Sequence, residues 1–579
     1  MKNNSFISAV LGVAVTMSVI RPTQAWGGTG HKFVARLAIA NLPASDLKQW
    51  LTKNETWFAN ASSHPDRWRN RVDHSEAPRH FLDTENFGVG TDALRIPSDF
   101  AAVLKVRSYE QLRTDGVNPW TIGRVRANLV KALKEKRWED ALVQAAYLSH
   151  YVGDAHVPFH ATANYDGQLS SPPQRGVHSR FEEKLVERTI KFEDLVVGAP
   201  DVLANPITDA IRVLNDSIKA VPAILAADKA ASSESGSTSS DKYYEQLSLT
   251  SRAIAKQRLE AAGRNLAGEL MSAWELAGRP APDQRVTVTD EWLPYAPPFV
   301  PRGAPVPPAQ PLVAEEVQIS ARKNVISKSL NSKLLKKDVT YNIALPATYG
   351  SDTRKYPVIY LLHGAWGSFD DWNKKTAVAA YTLATDFIVV MPDSNGNSWY
   401  NDSPGAGAVE SFITDELRKD VEKNFRTISS RAGRALVGLS MGGYGAIHLA
   451  TEHNQLYCAA ASLSGAVGWG TATFDKNLLT MAKDLYPTDT DAKYQQDSLL
   501  PSILRHLKNG IYEGPSLYFD CGKEDFLIKS NQDLEVSLLS KGIPHEYSEF
   551  DGAHTWTYWD GHIRDAFQFM KRQLRRPEN

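Results

Sequence analysis

The two halves of the chain differ in the spacing of their apolar residues. Residues 26–279 contain long segments in which apolar positions recur with the period of a helix, for example at 125–147 and 251–276. Residues 320–575 alternate short β-branched runs with helical stretches, which is typical of a parallel sheet covered by helices. The runs that we predict as buried strands are 358–362, 387–391, 435–438 and 516–520. The pattern therefore predicts a multidomain protein in which an all-α domain precedes an α/β domain with a mostly parallel sheet.

Residues 1–25 have the features of a secretory signal peptide. Lys2 gives the segment a positive start, residues 6–20 form an uncharged apolar run, and Ala25 offers a small residue at the cleavage position. The apolar run is shorter than the ~20 residues that a membrane-spanning helix needs. We therefore expect a secreted or periplasmic protein whose mature chain begins at Trp26 and has no transmembrane segment.

A proline-rich segment separates the two halves. Ten prolines lie between residues 280 and 311, and such a density favours an extended spacer over packed structure. We therefore divide the chain into a signal peptide (1–25), an all-α domain (26–279), a linker (280–317) and an α/β domain (318–579).

Composition and charge exclude several classes of protein. The 579 residues are 42% hydrophobic and 23% charged, which is typical of globular domains and not of a disordered or multispan membrane protein. Residues 26–280 contain 32 basic and 31 acidic side chains. Because binding to nucleic-acid phosphates usually recruits a basic surface, nucleic acid is a partner that this balance does not favour. The two cysteines, Cys458 and Cys521, lie in apolar runs and are expected to be buried thiols.

The N-terminal half carries a recurring pattern of histidines and carboxylates. His150 and Asp154 are four residues apart, as are His178 and Glu182, and this spacing places two side chains on one face of a helix. A single pair of this kind is more often a surface pair than a metal site. Here the pairs recur beside further candidates, which are Asp66, His80, His156 and His160. Mixed imidazole and carboxylate ligands suit zinc better than calcium or magnesium.

Three short motifs together resemble the superfamily of zinc-dependent phospholipases C and single-strand-specific nucleases. They are Trp-Gly-Gly-Thr-Gly-His at residues 26–31, the pair His150 and Asp154, and Pro-Phe-His at residues 158–160. The resemblance implies an all-α fold that holds three zinc ions and hydrolyses phosphodiesters. It also implies that the mature amino terminus is a ligand, because the N-terminal Trp of this superfamily chelates one ion through its amino nitrogen and carbonyl oxygen.

Carried over to this sequence, the resemblance implies three ligand sets. One zinc ion would be bound by Asp66, His80, His150 and Asp154, a second by Trp26 and His31 with Asp154 bridging, and the third by His160, His178 and Glu182. In addition, Asp66 would orient the nucleophilic water.

Two features of the sequence indicate different branches of the superfamily. The short spacing from Trp26 to His31 resembles the nucleases, whereas Glu182 in the place of an aspartate resembles the phospholipases C. The balanced charge of residues 26–280 leads us to favour phospholipase C-like hydrolysis, with a single-strand nuclease or 3'-nucleotidase as the alternative.

The C-terminal half contains a Gly-x-Ser-x-Gly motif centred on Ser440. The motif follows the apolar run 435–438 and precedes a helical stretch, which is the strand–turn–helix setting that such a nucleophile requires. Asp525 and His554 follow in the chain order expected for a triad, so we predict His554 as the base and Asp525 as the acid that orients it. The rival candidates are Asp520 and Glu524 for the acid and His562 for the base.

An earlier strand end, Leu-Leu-His-Gly-Ala-Trp-Gly at residues 361–367, predicts the oxyanion hole. The backbone N–H groups of Ala365 and Met441 would stabilise the negative charge that develops on the substrate oxygen. Together with Met-Pro-Asp at 391–393 and the Ser440 motif, this stretch resembles the esterase D group of α/β-hydrolases, which includes feruloyl, acetyl and tributyrin-type esterases. The resemblance implies serine carboxylesterase activity on small-molecule or lipid esters.

The two chemical patterns together predict a secreted bifunctional hydrolase of ester bonds. One domain would be a zinc phosphodiesterase and the other a Ser-His-Asp carboxylesterase. Two alternatives remain open, namely a secreted nuclease with an attached esterase domain, and an enzyme in which one domain serves only as a binding module.

Overall fold

The computed structural model describes most of the predicted domains. The described residues are 26–69, 75–87, 96–282, 286–288, 324–471, 476–488 and 490–578. The predicted signal peptide (1–25) lies outside the described residues, and so do residues 283–285 and 289–317 of the predicted linker (280–317). We find no helix in the described ranges that could span a bilayer.

The described part of the N-terminal half contains helices and no strand. Its α-helices are α1 (Gly27–Asn41), α2 (Asp46–Lys53), α3 (Glu55–Ala61), α4 (His64–Arg69), α5 (Phe100–Val103), α6 (Tyr109–Asp115), α7 (Asn118–Lys134), α8 (Trp138–Ala155), α9 (Val177–Ser179), α10 (Val186–Thr189), α11 (Pro206–Ile218), α12 (Val221–Ser235) and α13 (Asp241–Leu276). Short 3-10 turns lie at Ala77–His80, Thr84–Phe87, Pro158–His160 and Phe192–Asp194, and a π-helix spans Arg180–Leu185.

Helix α8 is the central helix of this domain. It packs against α1, α3, α7 and α13, and 16 of its 18 residues are buried. A helix that is buried on all sides carries its polar residues into the interior. His150 and Asp154, in the last two turns of α8, therefore lie inside the domain, where charged groups need partners.

The segment 125–147, which the apolar period suggests is continuous, contains a break. Helix α7 ends at Lys134 and α8 begins at Trp138, and Lys136 between them has a φ of 57°. The chain reverses here so that α7 and α8 pack against each other. Both helices keep the same period, so the period could not reveal the break.

The described start of the predicted linker packs on the helical domain. The Trp274 indole donates to Pro280 O (2.8 Å), and Val286 N donates to Asn54 Oδ1 (3.0 Å). Val286 and Val288 also contact the apolar core of the domain. The described residues up to 288 therefore pack as part of the helical domain. The two valines provide the apolar contact, which the proline content of the segment did not predict.

The C-terminal half is an α/β domain with an eight-stranded sheet. Its strands are β1 (Val325–Ser332), β2 (Lys337–Ala344), β3 (Val358–Leu362), β4 (Ile388–Pro392), β5 (Asp402–Ser403), β6 (Gly407–Ala408), β7 (Arg434–Leu439), β8 (Ala459–Leu463), β9 (Leu507–Lys508), β10 (Ile511–Tyr512), β11 (Ser516–Gly522) and β12 (Glu546–Phe550). The order in the main sheet is β1-β2-β4-β3-β7-β8-β11-β12, and all pairs from β4 onward are parallel. The hairpins β5-β6 and β9-β10 form two small separate sheets. The predicted fold class is confirmed.

Helices cover both faces of this sheet. They are α14 (Asp371–Lys375), α15 (Val378–Leu383), α16 (Val409–Ser411), α17 (Arg418–Asn424), α18 (Met441–Glu452), α19 (Lys476–Leu485), α20 (Thr490–Gln496), α21 (Leu499–Leu504), α22 (Ile528–Ser540) and α23 (Trp556–Gln573), with a π-helix at Phe412–Leu417 and 3-10 turns at Ala347–Gly350 and Arg431–Gly433. The four predicted strands correspond to β3, β4, β7 and β11, and their ends differ by at most two residues. Both cysteines are free and buried, with Cys521 in β11 and Cys458 directly before β8.

Strand β12 lies at one edge of the sheet and is covered by the helical domain. Arg79 Nη2 donates to Tyr547 O (2.5 Å), and Asn128 Nδ2 donates to His545 O (3.1 Å). An uncovered edge strand exposes unpaired backbone groups that can pair with another chain. The two domains therefore share a polar interface, in which side chains of the helices satisfy carbonyl groups at this edge.

Acid should weaken this interface. Burial raises the pKa of Glu535 on α22, but the nearby His545 and Arg124 outweigh burial and lower this pKa from 4.5 to about 2. A depressed carboxyl pKa adds stability that is present above the unfolded-state pKa and is lost as the pH falls through the folded-state pKa. We therefore expect the thermal unfolding temperature to decrease as the pH is lowered from 4.5 to about 2. Protonation of this group should remove up to about 3 kcal/mol from the free energy of unfolding.

The variant Glu535→Gln should make this pH dependence shallower. Glu245→Gln, at an exposed position of α13, is the matched control and should keep the wild-type slope. Equal slopes for wild type and Glu535→Gln would contradict the assignment of acid sensitivity to this carboxylate.

Candidate catalytic sites

A cluster of imidazole and carboxylate groups lies inside the helical domain. The structure brings together every side chain predicted as a ligand on sequence grounds: His31, Asp66, His80, His150, Asp154, His160, His178 and Glu182. All of them are buried. They come from α1, α4, α8, α9, the π-helix and two 3-10 turns, so the cluster forms only when these elements pack together.

Asp154 occupies the middle of the cluster. Its Oδ2 lies 2.9 Å from His80 Nδ1 and 3.2 Å from His150 Nε2, and its Oδ1 lies 3.5 Å from His31 Nε2. Asp66 faces the same three imidazoles at 3.8 to 3.9 Å. The two oxygens of Asp154 therefore face different sets of imidazoles, as a carboxylate that bridges two ions would.

A second group of ligand atoms lies beside the first. His178 Nε2 lies 2.9 Å and His160 Nε2 lies 3.8 Å from Glu182 Oε2. His160 Nδ1 is also 3.9 Å from Asp154 Oδ2, which connects the two groups. Glu182 is in the π-helix Arg180–Leu185, an irregularity that often occurs at functional sites.

Hydrogen bonds at the outer side of the rings orient two of the histidines. His150 Nδ1 lies 2.8 Å from Ser62 O, and His160 Nδ1 lies 2.6 Å from His80 O. A carbonyl oxygen can only accept, so each Nδ1 carries a proton, and in the neutral ring Nε2 is then the nitrogen with the lone pair. This is the usual arrangement of histidines that bind metal.

The residues present fit zinc. Ligand atoms around a tetrahedral zinc ion lie about 3.4 Å apart, given zinc–ligand distances of about 2.1 Å. The acid–imidazole separations given above are 2.9 to 3.9 Å, and the ligand atoms of each group that could hold an ion lie within 4.8 Å of one another. Both ring nitrogens of His31 and Oδ1 of Asp154 are buried without a hydrogen bond among the described residues. Burial lowers the pKa of His31, which favours the neutral imidazole that binds metal.

Trp26 lies beside the cluster at the start of α1. Its side chain is buried, and its indole donates to Gly153 O (2.8 Å), one residue before Asp154. Its carbonyl accepts from Gly30 N (3.0 Å). The predicted role of its amino nitrogen as a ligand depends on cleavage after Ala25, which lies outside the described residues.

Gly153 is a residue whose importance the sequence reasoning missed. A Cβ atom at this position would lie 3.1 Å from His31 Nδ1 and 3.6 Å from Trp26 Cδ1. The missing side chain therefore allows α1 to approach α8 closely enough for His31 to reach Asp154. The signal available in the sequence was a glycine inside the histidine motif of an otherwise regular helix.

The variant Gly153→Ala should weaken metal retention. Alanine is about 1 kcal/mol better than glycine inside a helix, so a purely local effect would be stabilising. We expect instead that the methyl group displaces His31 and that the purified protein keeps less metal during dialysis against a chelator. Gly28→Ala is the matched control, because a Cβ on this helical glycine has nothing within 4 Å. Unchanged metal retention in Gly153→Ala would contradict this reasoning.

The predicted triad residues of the α/β domain form a hydrogen-bonded chain. His554 Nε2 lies 3.0 Å from Ser440 Oγ, and His554 Nδ1 lies 2.8 Å from Asp525 Oδ2. Asp525 is buried, and its Oδ1 accepts from Leu527 N (2.9 Å). The three residues follow β7, β11 and β12, and the carboxyl ends of parallel strands meet at one edge of the sheet.

Ser440 occupies a strained turn between β7 and α18. Its φ of 53° and ψ of −120° are unusual for a residue other than glycine. The turn is held by Ser440 N, which donates to Leu463 O (3.0 Å). A Cβ on Gly442 would lie 2.5 Å from His363 O, so only glycine lets α18 begin this close to the end of β3. This geometry lifts the hydroxyl group above the strand ends.

The two predicted oxyanion-hole groups belong to segments next to Ser440. Met441 is the first residue of α18, so its N–H has no acceptor within the helix. A Cβ on Gly364 would lie 3.4 Å from Ser440 Cβ, so the loop that carries Ala365 passes directly beside the nucleophile. Both backbone groups therefore belong to the surroundings of the Ser440 hydroxyl.

The rival residues occupy other positions. Asp520 is buried in β11, where its Oδ1 accepts from Tyr558 OH (2.8 Å) and burial raises its pKa to about 7. Glu524 Oε2 accepts from Gly552 N (2.6 Å). His562 lies on α23, 2.9 Å from Asp565 and stacked on Phe550. His156, a further candidate from the N-terminal motif, is buried next to Arg258 and is not part of the metal-type groups.

Two family models match this chain. Residues 332–570 match the family described as putative esterase, and residues 26–170 match S1/P1 nuclease, a family that typically binds zinc. Both resemblances inferred from the sequence are thereby confirmed.

Three esterases are similar to part of this chain. The acetyl esterase of Caldicellulosiruptor saccharolyticus is 26% identical over 262 residues, which are 42% of this chain and 96% of that protein. An esterase of Mycobacterium tuberculosis is 29% identical over 239 residues, 37% of this chain and only 52% of that esterase. A solved ferulic acid esterase is 26% identical, covers 43% of this chain and 97% of its own, and has a TM-score of 0.38. The esterase relatives support a hydrolase that acts on esters. The chain thus joins a helical half similar to the S1/P1 nucleases to an α/β half similar to the esterases.

Proposed function

We propose that the protein is a secreted or periplasmic hydrolase with two active sites, one for phosphodiesters and one for carboxylic esters. The observation that carries this proposal is the completeness of both sets of side chains. Every predicted metal ligand side chain lies in one buried cluster, and Ser440, His554 and Asp525 form an unbroken hydrogen-bonded chain. A domain that served only for binding would not need such geometry.

In the esterase site, Ser440 acts as the nucleophile. His554 Nε2 takes the proton of the Ser440 hydroxyl as its oxygen attacks the ester carbonyl, and Asp525 keeps the imidazole in the required tautomer. The N–H groups of Ala365 and Met441 stabilise the oxyanion of the tetrahedral intermediate. His554 then protonates the leaving alcohol, and a water molecule hydrolyses the acyl-enzyme by the same route.

Two exposed aromatic residues are chain neighbours of residues of this site. Trp366 follows Ala365 in the chain and is 75% exposed, and Phe526 follows Asp525 and is 62% exposed. The Phe526 ring centroid lies 4.7 Å from that of His554. Exposed apolar surface beside an active site can mark a contact with a ligand. We therefore propose that the apolar part of the ester substrate packs against these rings.

In the metal site, the side chains of the buried cluster would hold up to three zinc ions, with Trp26 completing one ligand set. Zinc bound there supplies Lewis-acid activation of water and neutralises the charge of the phosphodiester. The protein residues fix the positions of the ligands, and the two oxygens of Asp154 face His31 and His80. Asp66, which is 7% exposed, is the ligand best placed to reach solvent and to orient the attacking water.

The substrate of the metal site is proposed to be a phospholipid-like phosphodiester. The near-neutral charge of residues 26–280 supports this choice, because nucleic-acid binding usually recruits basic side chains. A phospholipid also contains both bonds that the two sites would cleave, so one compound would serve both domains.

The proposal is tested on the purified mature protein. We expect amino-terminal sequencing to begin at Trp26, metal analysis to find about three zinc ions per chain, and assays to detect hydrolysis of both phosphatidylcholine and short acyl esters. A mature protein without bound metal would overturn the phosphodiesterase part. Fatty acid release without any phosphoryl product would overturn the shared substrate.

A secreted nuclease with an attached esterase is the second candidate. The match of residues 26–170 to the S1/P1 nuclease family favours it. Release of nucleotides from single-stranded DNA, with phosphatidylcholine left intact, would select this candidate over the phospholipase.

A further inference from the structure

Glu76 is a buried carboxylate that lies next to the cluster of predicted metal ligands. It is 1% exposed, and its Oε1 lies 3.2 Å from His80 Nε2 and accepts from Tyr151 OH (2.5 Å). His80 presents its other ring nitrogen, Nδ1, to Asp154. Glu76 therefore contacts the outer side of a predicted ligand, and no sequence motif pointed to it.

The second oxygen of Glu76 leads to the other domain. Arg79 Nη1 donates to Glu76 Oε2 (2.8 Å), and Arg79 Nη2 donates to Tyr547 O (2.5 Å) in β12. Tyr547 is itself held in register opposite Phe519 of β11. A continuous path of contacts thus runs from His80 through Glu76 and Arg79 to the main chain of the α/β domain.

We propose that Glu76 is a positioning residue for the metal centre and that the α/β domain holds it in place through Arg79. The inference rests on the proposed zinc site. A carboxylate behind a metal-binding histidine fixes the orientation of the ring and makes its inner nitrogen a stronger donor. Arg79 prevents the carboxylate from turning away, because its planar guanidinium group contacts the carboxylate and a fixed carbonyl at the same time.

An ordinary interface salt bridge would not require this arrangement. Glu76 directly precedes the 3-10 turn Ala77–His80, and Arg79 lies three residues later, within the turn. Both residues are buried. Burial of an ion pair costs about as much free energy as the attraction returns. The contacts with His80 and Tyr547, at the two ends of the pair, connect this buried pair to the metal centre and to the other domain.

The test measures zinc affinity by competition with a chelator in the full-length mature protein. Glu76→Gln keeps the shape of the side chain and removes its charge, so we expect zinc affinity to fall about 10- to 100-fold. Arg79→Lys keeps the positive charge, but the ammonium group cannot contact both Glu76 and Tyr547. We therefore expect a smaller decrease in zinc affinity. Lys131→Met is the matched control, because Lys131 Nζ also donates across the interface to a backbone carbonyl, Gly514 O (2.6 Å), away from the cluster.

Two further readouts separate positioning from general damage. Ester hydrolysis at Ser440 reports on folding, and we expect all three variants to keep it. The visible absorption of the cobalt-substituted protein reports on ligand geometry, and we expect it to change in Glu76→Gln and not in Lys131→Met. If Glu76→Gln loses ester hydrolysis as well, that variant is misfolded. The zinc affinity of Arg79→Lys then tests the positioning role.

The outcomes distinguish this inference from the proposed function. Wild-type protein without zinc affinity would overturn both. Wild-type protein that binds zinc, with equal affinity in Glu76→Gln or, if that variant is misfolded, in Arg79→Lys, would overturn the positioning role alone. An equal loss of affinity in Lys131→Met would mean that any damage to the interface affects the metal, which would also overturn the specific role of Glu76.

Discussion

Replacement of Ser440 by alanine should lower kcat/KM for a short acyl ester by about 10⁴-fold or more. Among the described residues, the Ser440 hydroxyl is the one that the structure places 3.0 Å from His554 Nε2, so its removal takes away the group that this imidazole would deprotonate. Zinc content and phosphodiester hydrolysis should remain at wild-type levels, because the ligands belong to the other domain.

Variants of the two histidines in the C-terminal region provide the control. His554→Ala should cause a loss similar to that of Ser440→Ala, since residues that act as a unit are not additive. His562→Ala should retain ester hydrolysis, because His562 contacts Asp565 and not the serine. Full ester activity in Ser440→Ala would show that another residue is the nucleophile and would remove the esterase assignment.

Replacement of Asp154 by asparagine should have the largest effect on the metal site. The two carboxylate oxygens of Asp154 face different imidazoles, at 2.9 Å from His80 and 3.5 Å from His31. Asparagine keeps the size of the side chain and removes the negative charge that two ions would share. We expect phosphodiester hydrolysis to fall by at least about 10³-fold, which corresponds to a loss of about 4 kcal/mol in transition-state stabilisation, and the zinc content per chain to decrease.

The matched control for this variant is His156→Gln. His156 is buried two residues after Asp154, and it lies next to Arg258 outside the metal-type groups. Its replacement should leave the zinc content unchanged. Ester hydrolysis should persist in both variants. Phosphodiester hydrolysis at the wild-type rate in Asp154→Asn would contradict the proposed bridging role.

Sequence patterns predicted those parts of the fold and of the sites that depend on short separations along the chain. The turn at Ser440 follows from glycines two residues away on either side, and the pairing of His178 with Glu182 follows from one helical turn. Strands β3, β4, β7 and β11 were visible because strands that are buried on both faces read as unbroken apolar runs. The break between α7 and α8 was not visible, because the apolar period is the same on both sides of Lys136.

Contacts between distant parts of the chain had no such signal. Gly153 is important only because α1 approaches α8 at that residue, and Glu76 only because it lies between His80 and Arg79. The bond from Arg79 to Tyr547 joins residues 468 positions apart. The sequence by itself determined the fold classes and the residue types of both sites, because these depend on local spacing and composition. Only the tertiary structure decided which residues support those sites and how the two domains meet, because such contacts arise from the packing of whole elements and leave no periodic trace in the sequence.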